Sequence, residues 1–177
     1  MRKSQLKREA EGIIEELNLL GLLTAYGDPR VVGSVALDLI VKLDIDIHVL
    51  VRNEDLLEVT NDIYRKLLNH DSVHEVRISD YRDQGVKLGI DSYLGVSGNW
   101  SIDIWVTNKV EETGFEMIER LRGEMSMEHR KNIMAIKSYY HEGRLLKDGI
   151  SSLIYSAVVE KGVQNVNEFM KNLDENG

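Results

Sequence analysis

Three aspartates in two short alternating runs are the residues of this chain best suited to chemistry. "LDIDIHVLV" carries Asp44 and Asp46, and "SIDIWV" carries Asp103. Side chains alternate across a strand, so Asp44, Asp46 and His48 share one face while Ile45, Ile47 and Val49 share the other. The apolar face needs a core, and the acidic face needs water or cations. Cα atoms two strand residues apart lie roughly 6.5–7 Å from each other, close enough for both carboxylates to converge on one ion. A pair of ions about 3.5–4 Å apart would serve equally. Magnesium suits such a site, because it prefers oxygen ligands and is usually held by one or two carboxylates plus substrate phosphates. Manganese is the alternative. Asp103 shares its face with Ser101 and Trp105 and joins the pair if its strand lies near residues 44–51. There it would complete metal binding or take a proton from an attacking hydroxyl. Asp91 in "GIDSY" competes for this role, but its strand is less regular and Asp103 is preferred.

Gly33 and Ser34 meet a second requirement. A glycine between strand and helix lets the backbone approach a ligand closely. The helix start that follows offers free N–H groups to a phosphate. The Ser34 hydroxyl adds one hydrogen bond to a phosphate oxygen.

Gly33-Ser34, nine further residues and then Asp44-Ile45-Asp46 resemble the signature of the polymerase-beta-type nucleotidyltransferase superfamily. That signature is a hydrophobic residue, Gly, Gly or Ser, a spacer, and Asp-x-Asp or Asp-x-Glu on a strand. The resemblance covers about Val31 to Val106, and the helices beyond it are similar to the tails of small bacterial members. It implies a mixed sheet flanked by helices, with Asp44 and Asp46 binding a divalent metal and Gly33 and Ser34 holding a triphosphate. Asp103 would bind metal or activate the acceptor. The implied reaction moves a nucleoside monophosphate from an NTP, ATP first among them, to an unidentified acceptor hydroxyl. The sequence departs from small members at Leu37 and Asp38, where Arg-Gly often follows the alanine, and at Leu43, often a polar residue. These departures motivate an alternative, a catalytically inactive nucleotide-binding or protein-interaction module. A metal-dependent phosphohydrolase is a third reading, without a histidine-rich cluster to support it.

The elements that must position these residues follow from periodicity and turn chemistry. A helix is expected from about Lys3 to Leu20, with Gly21 and Gly27 at its exit and "YGDPR" as a turn. Val31 and Val32 form a short strand, and "VALDLIVK" a short helix. The strand from Leu43 to Val51 is followed by a helix for which Asn53 is the expected cap. "VHEVRIS", "VKLGIDSYL" and "WSIDIWV" read as strands, the last two joined by a hairpin at "GVSGN". From Glu112 onward the pattern is helical, with caps expected at Ser126 and at Ser151 or Ser152, and a stop at Gly162. The class is α+β (mixed α/β), with a nucleotidyltransferase-like domain over 1–111 and a helical portion over 112–177 packed on it.

Composition narrows the setting. Cysteine is absent, which excludes disulfides and thiolate metal sites. No signal peptide or membrane-length apolar stretch is visible, so a cytoplasmic protein without membrane attachment is expected. The net charge of −8 argues against long nucleic acids as partners. His48 is read as part-exposed and structural. Arg130 and Lys137, seven apart, share a helix face that is read as solvated. Tyr140 fits an apolar stripe with Ile133 and Ile136 and is read as core. Trp105 would border a base or acceptor, or pack under the C-terminal helices.

Overall fold

A computed structural model describes residues 4–52, 55–147 and 149–176, the side chains of 175 and 176 excepted. Among them the chain is mixed α/β, with a five-stranded mixed sheet and eight helices. It falls into two compact units, Met1–Asp38 with Leu43–Ile118, and Leu39–Lys42 with Glu119–Gly177. No helix among the described residues is long and apolar enough to cross a membrane.

The first unit opens with two helices where one segment was expected. α1 spans Gln5–Glu16 and α2 spans Leu19–Thr24; Lys3 lies outside the described residues. Asn18 separates them in the left-handed region at φ 46°, which asparagine tolerates better than most residues. Gly21 belongs inside α2, and a Cβ there would stand 2.2 Å from Asn18 Oδ1. Its role is to make room for that side chain rather than to end a helix. Ser4 caps α1 by accepting from the Lys7 N–H.

β1 (Gly27–Val32) includes most of the stretch expected as a turn. Pro29 is accommodated because β1 lies at the sheet edge, where a missing N–H does least harm. The sheet order is β1-β2-β5-β4-β3, with β2 Asp44–Val51, β3 Arg77–Asp80, β4 Val86–Leu94 and β5 Asn99–Thr107. β2 and β5 run parallel, and all other neighbours are antiparallel. One sheet face is fully apolar, with Ile45, Ile47, Val49, Leu88, Ile102, Ile104 and Val106 all at 0% exposure. α4 (Leu56–Leu68) contributes Val59, Thr60, Ile63 and Leu67 as its buried side chains. Its cap is Asp55, whose carboxylate accepts from the Glu58 N–H; Asn53 lies outside the described residues.

α3 spans only Gly33–Leu37 and stops at Asp38, which is left-handed at φ 56°. The Asp38 carboxylate accepts from the Ser4 N–H at 3.0 Å and from the Ser4 hydroxyl. The aspartate that departs from the small-member pattern therefore anchors the start of α1.

In the second unit, the end of α5 (Phe115–Glu124) leads to α6 (Met127–Glu142), α7 (Ile150–Lys161) and α8 (Val166–Asn176). Ser126 caps α6 in a capping box with His129. α7 begins after Gly149 at φ 83°, not at a serine cap, and ends at Gly162 at φ 70°. Tyr140 is buried with Ile133 and Ile136 and meets the Phe169 ring edge-on at 5.4 Å. Lys137 is not solvated. It is 2% exposed, and Nζ donates to the Leu39 carbonyl at 2.7 Å and to the Tyr155 hydroxyl at 2.9 Å. Burial of an ammonium is tolerable only with such partners.

The β4–β5 hairpin is fastened to α1 by Glu9. Its carboxylate accepts from Trp100 Nε1 at 3.0 Å, from the Ser97 N–H at 2.9 Å and from the Ser97 hydroxyl. A Cβ on Gly95 would fall 2.5 Å from Glu9 Oε1, so the loop must be glycine there. Burial pushes the Glu9 carboxyl up, but the bonds from Ser97 and Trp100 outweigh it and hold the group below its ordinary value. The stability it adds is therefore complete above the unfolded glutamate pKa of about 4.3 and is lost as pH falls below that. Glu9→Gln is expected to cost about 1–2 kcal/mol at pH 7 in urea melts and to flatten the acid side of the stability profile. An unchanged acid limb would show that Glu9 does not clamp the hairpin.

Candidate active site

β2 sets the site because its two faces differ so sharply. Its burial alternates strictly, with the residues of the Asp44, Asp46 and His48 face half-buried and those between them buried. The β1 and β5 neighbours then bring the other groups to that face. Asp46 is registered against Val32 of β1 and against Asp103 of β5. Adjacent strands lie about 4.8 Å apart, so Asp46 and Asp103 rise side by side. Asp44 is registered against Ser101.

Val32 leads directly into Gly33, which holds φ +62°. A Cβ on Gly33 would stand 2.5 Å from Asp46 Oδ2. Two constraints therefore demand glycine, the left-handed backbone and the carboxylate pressed against it. Ser34 is buried, and its hydroxyl lies 3.4 Å from Asp44 Oδ1 as a long donor. The glycine–serine turn thus touches both aspartates of β2, one through each residue.

Asp103 has a cationic neighbour that sequence reasoning missed. Lys87 Nζ of β4 lies 3.2 Å from Asp103 Oδ2. Gly89 is the residue registered opposite Asp103, and a Cβ there would meet Asp103 Oδ1 at 3.4 Å and Asp91 Oδ1 at 3.8 Å. Asp91 therefore rises on the same face one strand further out, where it pairs with Arg77 of β3. A hairpin counted back from Leu94 and Asn99 would place Ile90 opposite Asp103. The register irregularity between Ile90 and Tyr93 shifts β4 by one residue and substitutes Gly89. Burial shows the slip, since Val86, Leu88 and Ile90 are followed in the core by Tyr93.

His48 is structural, as its position suggested. Nδ1 accepts from the Gly114 N–H at 2.9 Å, and burial pushes the imidazole down to about 4. It is neutral near pH 7, with its proton on Nε2. Trp105, registered against His48, stands 6.4 Å from that ring and 5.3 Å from Tyr81. Its Nε1 is buried without a hydrogen-bond partner. Gly85 lies so close that a Cβ would come within 2.9 Å of the indole.

The donor set is all oxygen, which fits a hard divalent cation. Gly33 keeps the space beside Asp46 free of a side chain. Among the described residues no three His, Asp or Glu side chains are gathered tightly enough to form a ready-made cage. Asp44 and Asp46 could hold such an ion only together with other oxygen ligands, as magnesium is usually bound by one or two carboxylates plus substrate phosphates.

The sequence matches no family model. No curated protein matches it. Solved structures do. A Cid1 poly(U) polymerase structure aligns with a TM-score of 0.64 at 14% identity, over 89% of this chain and 49% of that one. A cytoplasmic RNA terminal U-transferase aligns with a TM-score of 0.60 at 15% identity, over 83% and 44%. Cid1 poly(U) polymerase with magnesium and 3′-dATP bound aligns with a TM-score of 0.60 at 15% identity, over 79% and 43%. The chain spans less than half the length of each. At these identities the likeness establishes the architecture of the chain.

Gly33→Ala should strain the turn and push against Asp46. An apparent loss of about 1–3 kcal/mol in thermal or urea unfolding is expected. An alanine variant as stable as the wild type would show that the turn relaxes without the Asp46 contact.

Proposed function

We propose that this chain, which has the polymerase-beta-type nucleotidyltransferase fold, transfers a nucleoside monophosphate from an NTP to an acceptor hydroxyl. The observation that carries the reading is the position of Asp46, with Gly33 against its carboxylate and Asp103 beside it in register. Phosphate recognition, metal ligation and proton acceptance are thereby assigned to neighbouring groups. Asp44 and Asp46 would hold magnesium, or manganese in its place. Such an ion, when bound, neutralises triphosphate charge and favours the ionised acceptor.

The rest falls to the chain. The Gly33–Ser34 backbone and the Ser34 hydroxyl orient the phosphates, so that the acceptor oxygen faces the α-phosphorus. Asp103 would bind metal beside Asp44 and Asp46 or take the proton from that oxygen. The new bond forms at the α-phosphorus, the bond to the bridging oxygen of the β-phosphate breaks, and pyrophosphate leaves with the electron pair. Holding the reactants in line supplies a large part of the rate. Cid1 structures carry adenine, guanine and uracil nucleotides, so ATP and UTP are the first donors to test.

Isothermal titration with each NTP, in magnesium and in EDTA, tests the reading on wild type and on Asp44→Ala/Asp46→Ala. Metal-dependent binding of at least one NTP, weakened at least about tenfold in the double variant, is expected. Asp103→Asn should weaken nucleotide affinity less than the double variant does, while losing about 10²–10⁴-fold in turnover once an acceptor is found. No NTP binding by the wild type in any condition would overturn the transferase and leave an interaction module of the same fold.

A further inference from the structure

We infer that the Lys87 ammonium is a built-in counter-cation of Asp103, which a divalent ion must displace before that carboxylate can join Asp44 and Asp46. The inference rests on the metal-site reading above and adds a competitor to it.

Three observations carry it. The Lys87 ammonium lies 3.2 Å from Asp103 Oδ2, so it engages an oxygen that a metal would otherwise use. Lys87 is registered against Trp105, not against Asp103, so its side chain reaches sideways along the sheet to make this contact. Gly89 leaves that route open, because the residue opposite Asp103 has no side chain to fill the space. The next cation outward, Arg77, is paired with Asp91.

The exposure of the pair suits exchange. The Lys87 and Asp103 side chains are 29% and 40% exposed. Neither is sealed in the core, where separation would strand a charge, and neither is free in solvent, where pairing is worth little. An ion approaching Asp103 meets both a lost oxygen and the repulsion of a like charge. A bound triphosphate adds negative charge and shifts that competition toward the ion. Asp103 is thus held in place without metal and becomes available once nucleotide is bound.

Manganese affinity, read by electron paramagnetic resonance of the free ion, tests this without any turnover. The chains are wild type, Lys87→Met, Lys87→Gln, Lys87→Arg, Asp103→Asn, Lys87→Met/Asp103→Asn and Asp44→Asn/Asp46→Asn. Removing the ammonium should tighten nucleotide-free Mn²⁺ binding at least about fivefold. Lys87→Arg should behave as wild type, and the gain should vanish when Asp103 is also changed. In parallel, Lys87→Met should melt lower than wild type in EDTA and gain more from Mg²⁺. Equal Mn²⁺ affinity in wild type, Lys87→Met and Lys87→Gln, lost in Asp44→Asn/Asp46→Asn, would overturn the role of Lys87 and leave the metal site standing. Absence of Mn²⁺ binding in every chain, with and without NTP, would overturn both.

Discussion

β2 enters the sheet between an antiparallel neighbour and a parallel one, and this placement decides where each acid stands. Antiparallel β1 delivers its last residue, Val32, beside Asp46 and lets the chain turn at Gly33 onto the same face. Parallel β5 brings Asp103 level with Asp46 on the other side. The register cannot drift. Ile45, Ile47, Val49 and Val51 are all buried, each worth about 1.5–3 kcal/mol of transfer free energy. A one-residue slip would exchange them for aspartates and a histidine. The core thus fixes the acidic face without touching it.

Clustered acids need compensation, and the fold supplies it with groups that can be exchanged. The Ser34 hydroxyl offers Asp44 a long bond, and Lys87 gives Asp103 a positive neighbour. By contrast, charges with purely architectural duties are bound firmly. Glu9 holds three donors from the hairpin, and Lys137 sits fully enclosed with a carbonyl and a phenol. Lys87 is 29% exposed and Lys137 only 2%, so water reaches the first ammonium and not the second.

The acidic strands were legible because each satisfies two requirements at once. Alternation fixed the faces of residues 44–51 and 101–106, and both strands stand where the pattern put them. The edge strand at Gly27–Val32 was hidden by Pro29, whose turn preference yields at a sheet margin. The break at Asn18 was hidden because an asparagine in the left-handed region leaves the apolar spacing intact. Lys137 was misread because its partners, the Leu39 carbonyl and the Tyr155 hydroxyl, are remote in sequence. Lys87 escaped notice for a subtler reason. Only the irregularity in β4 aligns Gly89 with Asp103, and no local pattern announces a one-residue slip.

The strand order also dictates a sequence of assembly. β5 lies between β2 and β4 although it is the last strand along the chain. During synthesis β2 emerges early, can pair with β1, and then waits with its other edge bare until residues 99–107 appear. Pairing of strands so distant in the chain is a slow, late event in folding. The nascent polypeptide therefore passes through a period in which it is a target for chaperones and for wrong strand partners. The neighbouring acids that define the site are brought together only when that period ends.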